Sequence, residues 1–191
     1  MAPILGIYAS QISGHLFAPS GAYDSIATTI VGAGGAASVT FSSIPSTYTH
    51  LQIRYLCRSN RADITDSVKM NFNSDTGNNY VWHYLRGNGS IATASASSST
   101  SYILSGNVVA STGGSDMFGA GVIDILDYSN TNKNTTARIL NGEDRNGAGF
   151  LYFNSGLWMN TNAITSIVLA PDSGTLWTQY SSFALYGIKG N

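Results

Sequence analysis

The sequence predicts an all-β chain: an antiparallel β-sandwich of jelly-roll type with an extended N-terminal arm. Three observations predict it. Apolar residues recur at every second position through most of the chain, which is the period of a half-buried strand. Clusters of Gly, Ser, Asn and Asp separate these runs at intervals suited to an antiparallel sandwich, and no convincing helical period extends beyond two turns. A length of 191 residues suits one β domain. The division expected is an arm over residues 1–24 and a single sandwich domain over residues 25–191.

The arm carries Ile4, Leu5, Ile7, Ile12, Leu16 and Phe17, interrupted by Pro3, Gly6, Gly14, Pro19 and Gly21, so neither period survives in it. Apolar groups without a layer of their own must bury against the domain or a neighbour, and these six are the expected partner contacts. From Ile26 onward the period is two. Gly32–Gly35 reads as a hairpin turn before Val39 and Phe41, which alternate with polar neighbours in a short strand. Leu51, Ile53, Tyr55 and Cys57 share one side of the next, and Val68, Met70 and Phe72 one side of another. Tyr80, Trp82 and Tyr84 form an aromatic row on one face of the following run. Ser90–Ser101, low in complexity, is expected to be a flexible loop. Strands resume at Tyr102–Ala110, Gly121–Tyr128, Thr135–Asn141, Gly149–Trp158, Ile164–Ala170 and Ser182–Ile188, giving nine or ten in all.

Hydrophobic residues make up 43% of the chain, enough to support a core, whereas charged residues make up only 10%. Lys and Glu are depleted at the centres of protein interfaces, and the chain has three Lys and the single Glu143. Much of the exterior is therefore expected to meet partners, although a Ser/Thr/Asn surface is also ordinary for β-rich proteins. A net charge of −1 leaves no footprint for nucleic acid, since Arg54, Arg58 and Arg61 are the one basic cluster and read as solvated or paired. Cys57 lies within an alternating apolar run and reads as a small buried hydrophobe. The N-terminus has no Lys or Arg before its short apolar stretch, and no apolar run approaches a membrane span. Synthesis in the cytoplasm is expected, with no membrane association.

Enzyme chemistry finds no support in the pattern. Glycoside hydrolysis needs two carboxylates at a defined separation. Glu143 and Asp144 would diverge on a strand, and in Asn141–Gly147 they are expected to occupy an exposed turn. Asp124 and Asp127 also diverge. His15, His50 and His83 fall in separate elements, the latter two expected as half-buried strand residues with satisfied nitrogens. Asn71, Asn73 and Asp75 alternate like the donors of a calcium loop, but glycine comes at Gly77 rather than at the sixth position, and Trp82 stands where a bidentate Glu is required. A turn explains them better. Asp63 and Asp66 are expected to pair with Arg61 or cap a loop. No catalytic residue, cofactor or metal is implied. Tyr80, Trp82 and Tyr84 remain as contacts to a glycan or a protein if exposed, or as a core wall if not.

Ile164-Thr-Ser-Ile-Val-Leu169, followed by Tyr180-Ser-Ser-Phe-Ala-Leu-Tyr-Gly-Ile188, resembles the close of small β-rich virion proteins of tailed bacteriophages. Phe41-Ser-Ser-Ile-Pro-Ser-Thr-Tyr-Thr-His-Leu-Gln-Ile-Arg54 resembles their early hairpin. The resemblance implies a non-enzymatic structural role in the virion, of the decoration (cement), fibre or tail type. The leading expectation is a head decoration protein, homotrimeric by analogy with other phage jelly rolls, contacting the major capsid protein or other virion proteins. The alternative is a tail fibre or tail-tip module recognising host surface glycans.

Overall fold

A computed structural model describes residues 21–190, and within them the chain is all β with no helix. Twelve strands follow one another: β1 (Tyr23–Ile30), β2 (Val39–Phe41), β3 (His50–Cys57), β4 (Thr65–Phe72), β5 (Tyr80–Gly87), β6 (Ala92–Thr100), β7 (Ile103–Val109), β8 (Gly119–Leu126), β9 (Thr135–Asp144), β10 (Gly149–Trp158), β11 (Ile167–Pro171) and β12 (Ser182–Ile188). They form an eight-stranded sheet of order β1-β12-β3-β8-β9-β10-β5-β6 and a four-stranded sheet of order β2-β11-β4-β7. Every strand pair is antiparallel. Setting aside β5, β6, β9 and β10, the remaining sheets β1-β12-β3-β8 and β2-β11-β4-β7 have the strand order of a jelly roll. The other four strands widen one of its sheets.

Alternation decides which side chains enter the core. Leu51, Ile53, Tyr55 and Cys57 of β3 point inward with Ile123 and Ile125 of β8 and Phe183 and Leu185 of β12. From the small sheet, Val39, Phe41, Val68, Met70, Phe72, Ile167 and Leu169 meet them. Trp177, its indole N–H donating to the Leu169 carbonyl at 3.2 Å, packs on Phe183 with ring centres 5.5 Å apart. Tyr80, Phe72 and Trp158 make a second aromatic cluster, closed by Trp158 Nε1 donating to Asp75 at 2.8 Å. Cys57 is free and fully buried, and burial pushes its thiol pKa well up, leaving an unreactive small hydrophobe.

Several expectations need correction. Tyr23 and Asp24, assigned to the arm, already belong to β1; Ile4, Leu5, Ile7, Ile12, Leu16 and Phe17 lie outside the described residues. Gly32–Gly35 is a turn, with Gly35 N–H bonded to the Gly32 carbonyl, but not a hairpin: β1 and β2 lie in different sheets. The same holds for Phe41–Arg54, where β2 and β3 also belong to opposite sheets. Ser90–Ser101 is mostly strand β6. Its Ala92, Ala94 and Ala96 alternate with Thr93, Ser95 and Ser97, a period of two concealed by small side chains with little hydrophobic contrast. In β12, Phe183 and Leu185 point inward and fix its register, so Tyr186 and Ile188 face outward.

The free edge of the small sheet, β7, lies against the large sheet, and its backbone needs partners there. Side chains of the large sheet supply them. Tyr55 donates its hydroxyl to the Ser105 carbonyl at 2.7 Å, and Asn154 donates to the Leu104 carbonyl at 3.1 Å. Asn141 accepts from the Asn107 N–H at 2.7 Å and donates to the Ala120 carbonyl at 2.9 Å. A β-bulge shapes β7 for this, placing Ser105 and Gly106 opposite the single Val68. Gly106 has φ of 105°, and a Cβ on it would lie 2.5 Å from the Asn141 side chain, so only glycine fits.

Phe183→Ala is expected to cost about 3–5 kcal/mol in chemical denaturation, as aromatic truncations in cores do. Asn141→Ala, which leaves the Asn107 N–H unpaired, is expected to cost roughly 1–3 kcal/mol. A loss near zero for Asn141→Ala would show that β7 is held by packing alone.

Candidate functional site

Two surfaces of the large sheet stand out, one on each face. On the inner face, β7 packs over β9 and β10 but barely reaches β5, leaving the β5–β6 end overhanging. Tyr80, deepest in its row, is wholly buried and therefore a core residue, not a contact. Trp82 and Tyr84 are half-buried and lie nearly parallel, with ring centres 5.9 Å apart. Tyr84 meets Tyr152 edge-on at 5.5 Å, and Phe150 completes the strip. Arg86 sits among these rings, its guanidinium carbon 5.1 Å from the Phe150 centroid and 5.9 Å from those of Tyr84 and Tyr152. Its Nη1 donates to the Tyr152 hydroxyl at 3.0 Å and its Nε to Thr93 at 2.9 Å. The Trp82 indole N–H is buried with no partner among the described residues. Tyr128, Tyr152, Trp158 and Trp177 are all core residues.

Glu143 lies beside this strip. The exposed turn expected for it is only Arg145–Ala148, closed by the Arg145 N–H on the Ala148 carbonyl, with Asn146 and Gly147 both at positive φ. Asn-Gly favours such two-residue hairpin turns, and counting back from it places Glu143 inward on β9 and Asp144 outward. The Glu143 side chain is fully buried and paired with Arg145 at 2.7 and 3.3 Å. Burial raises its pKa while Arg145 lowers it, and burial wins. With its carboxylate engaged by Arg145 and the neighbouring Asp144 turned to the opposite face, Glu143 acts as an anchor for the hairpin.

Asp63, Asp66, Asp75 and Asp127 also hold structure. Asp75 accepts from Asn79, Trp158 and the Gly77 N–H; these bonds, Asn79 foremost, hold its pKa below the usual range. Asn73 accepts from the Thr165 and Ser166 N–H groups, so the calcium-like spacing is a turn. Arg61 pairs with Asp63 at 2.9 Å and stands 4.0 Å from Asp66. Asp66 also caps the Ser173 and Gly174 N–H groups. Lys133 pairs with Asp127 and lowers its pKa. His50 accepts from the Asp127 N–H at 2.9 Å, whereas His83 is exposed on the outer face rather than half-buried, because Trp82 and Tyr84 turn inward.

The outer face of the large sheet carries the second surface, which alternation alone did not anticipate. Register aligns Arg54, Val122, Leu140, Phe153, Leu85 and Ala94 in one row across β3-β8-β9-β10-β5-β6. Leu56, Ala120, Gly142, Leu151, Gly87 and Ala92 form the next row. Leu140, Leu151, Phe153 and Leu85 are 52%, 60%, 58% and 55% exposed. Small Ala120 and Gly142 leave a shallow groove of about 420 Å³ between Arg54, Val122, Leu140 and Leu151. A sequence signal existed: Val122-Ile123, Ile139-Leu140 and Phe150–Phe153 are consecutive apolar residues, which on a strand place hydrophobes on both faces.

No protein-family model and no curated protein matches the chain. Among solved structures, the crystal structure of galectin LEC-6 from Caenorhabditis elegans covers 85% of this chain and 96% of its own, with TM-score 0.33 and 8% identity. A likeness this distant speaks to no function.

The raised pKa of Glu143 sets a pH dependence. As pH climbs from below the ordinary glutamate range, the unfolded chain releases the proton before the folded one, so stability falls until Glu143 is ionised in both. The unfolding free energy of the wild type minus that of Glu143→Gln should therefore decrease between about pH 3 and about pH 7. An increase would mean that the Arg145 pair outweighs burial.

Proposed function

We propose that this chain is a non-enzymatic structural protein of a tailed-bacteriophage virion, acting through protein–protein contacts and most simply as a decoration protein on the head. The observation that carries this reading is the outer face of the large sheet. Exposed Leu85, Leu140, Leu151 and Phe153 stand together with Val122 on one broad surface, and contiguous apolar surface of this kind marks an interaction site. The low charge supports it, since charged side chains are depleted where interfaces are driest. The virion setting is inferred from the resemblance of the Phe41–Arg54 and C-terminal segments. The acids support a non-catalytic role, because Glu143, Asp66, Asp75 and Asp127 are engaged in pairs and caps.

A second reading draws on the half-open strip of Trp82, Tyr84, Phe150 and Arg86. Aromatic rings beside a guanidinium and the Thr93 and Ser95 hydroxyl groups suit a glycan, as a tail-tip receptor module would require. The two readings part on different substitutions. Locating the chain in a virion reconstruction separates head from tail. Phe153→Glu should reduce incorporation into virions by about tenfold or more with little change in melting temperature, as expected for a hot-spot side chain. If instead Trp82→Ala abolishes binding to host polysaccharide while Phe153→Glu leaves incorporation intact, the receptor reading replaces the decoration reading. Shortening of that polysaccharide by the purified chain, lost on mutating Glu143, would overturn both.

A further inference from the structure

The reading of the outer face as an assembly surface leaves open what covers it, and the inference here rests on that reading. We propose that two copies of this chain pack large sheet on large sheet through this face, about a two-fold axis running along the strands at the midline between β8 and β9. That midline divides the sheet into β1, β12, β3 and β8 on one side and β9, β10, β5 and β6 on the other. A two-fold there lays β8 over β9 of the partner subunit and β3 over its β10, preserving each row.

The rows then complement themselves. Asp124 and Arg138 are adjacent in register, facing outward. Asp124 accepts from Gln52 Nε2 at 2.7 Å, and Arg138 donates to Ser155 and the Ala137 carbonyl. Among the described residues no ion pair joins either of them to an opposite charge. Across the axis, Asp124 falls on Arg138 of the partner subunit and Arg138 on the partner's Asp124, so one contact occurs twice, as an isologous interface requires. In the next row Val122 meets Leu140 of the partner subunit. Beyond it, Arg54, whose guanidinium carbon lies 5.5 Å from the Tyr186 ring centre of its own chain and whose Nε donates to Gln52, comes over the partner's Phe153, and Leu56 over the partner's Leu151.

Size supports this occupant. Strands about 4.8 Å apart and roughly 25 Å long make an eight-stranded face of roughly 800 Å², close to one side of a stable protein interface. A three-fold assembly, expected by analogy, would join two different faces and leave this self-matching one unused.

Sedimentation of the full chain, with thermal melts as a folding control, tests the proposal. The wild type should be a dimer at micromolar concentration. Asp124→Arg and Arg138→Asp should each weaken the dimer by about tenfold or more, and the double exchange should recover most of the loss, as coupled interfacial charges do. A folded wild type that stays monomeric near 100 µM, an amount that captures even weak pairs, overturns the proposal. So does a dimer that the single exchanges leave untouched but deletion of residues 1–20 abolishes, which would make the arm the occupant. Single losses without recovery in the double exchange overturn the two-fold placement. If a monomeric wild type loses virion incorporation on Phe153→Glu, only the second copy is excluded; if incorporation survives that substitution, the assembly reading itself fails.

Discussion

The structure depends on how the buried free edge of β7 is satisfied. A four-stranded sheet cannot cover an eight-stranded one, so the small sheet ends in mid-sandwich, with backbone amides and carbonyls aimed at the interior of the large sheet. Tyr55, Asn141 and Asn154 meet those groups with side-chain hydrogen bonds, and all three are at most 4% exposed. Their geometry sets the spacing between the sheets and the position of the bulge at Ser105 and Gly106. An apolar residue at any of the three would keep the packing and strand the edge, because a buried unpaired polar group costs more than a made hydrogen bond gains.

The unequal sheets also explain why both faces of the large sheet carry surfaces of interest. Jelly-roll strands bury one face and present the other. The added β9-β10-β5-β6 block extends beyond the small sheet, so its inner side is only partly covered and shows Trp82, Tyr84 and Phe150. Its outer side carries Leu140, Leu151, Phe153 and Leu85 exposed in two adjacent rows, beside a polar row that includes Arg138 and His83. Strands with apolar rows on both faces call for cover on both, and here the chain itself covers only one.

Charge is scarce and mostly committed. Glu143 with Arg145 fixes the β9–β10 hairpin, Asp75 fixes the turn beneath Trp158, and Asp66 clamps the segment before Trp177. Asp124 and Arg138 differ from these because neither serves a turn, a cap or an ion pair within the described residues, and both stand at the centre of the outer face.

The sequence by itself determined the strand class, most strand positions and the inward set, because alternation is local: Leu51, Ile53, Tyr55 and Cys57 could not all face water. It also contained the Asn146-Gly147 turn that places Glu143, and the doubled hydrophobes that betray a second apolar face. It could not assign successive strands to opposite sheets, so Gly32–Gly35 and Phe41–Arg54 read as hairpins. Nor could it show β6, whose alanines and serines alternate without contrast. Tertiary structure alone decided that Tyr80 is buried while Trp82 and Tyr84 stay half-open, since all three share a period and only the width of the opposing sheet separates them. The outer rows were decided in the same way: side chains from β3, β8, β9, β10 and β5, distant in sequence, become one surface only through the register of non-local hydrogen bonds.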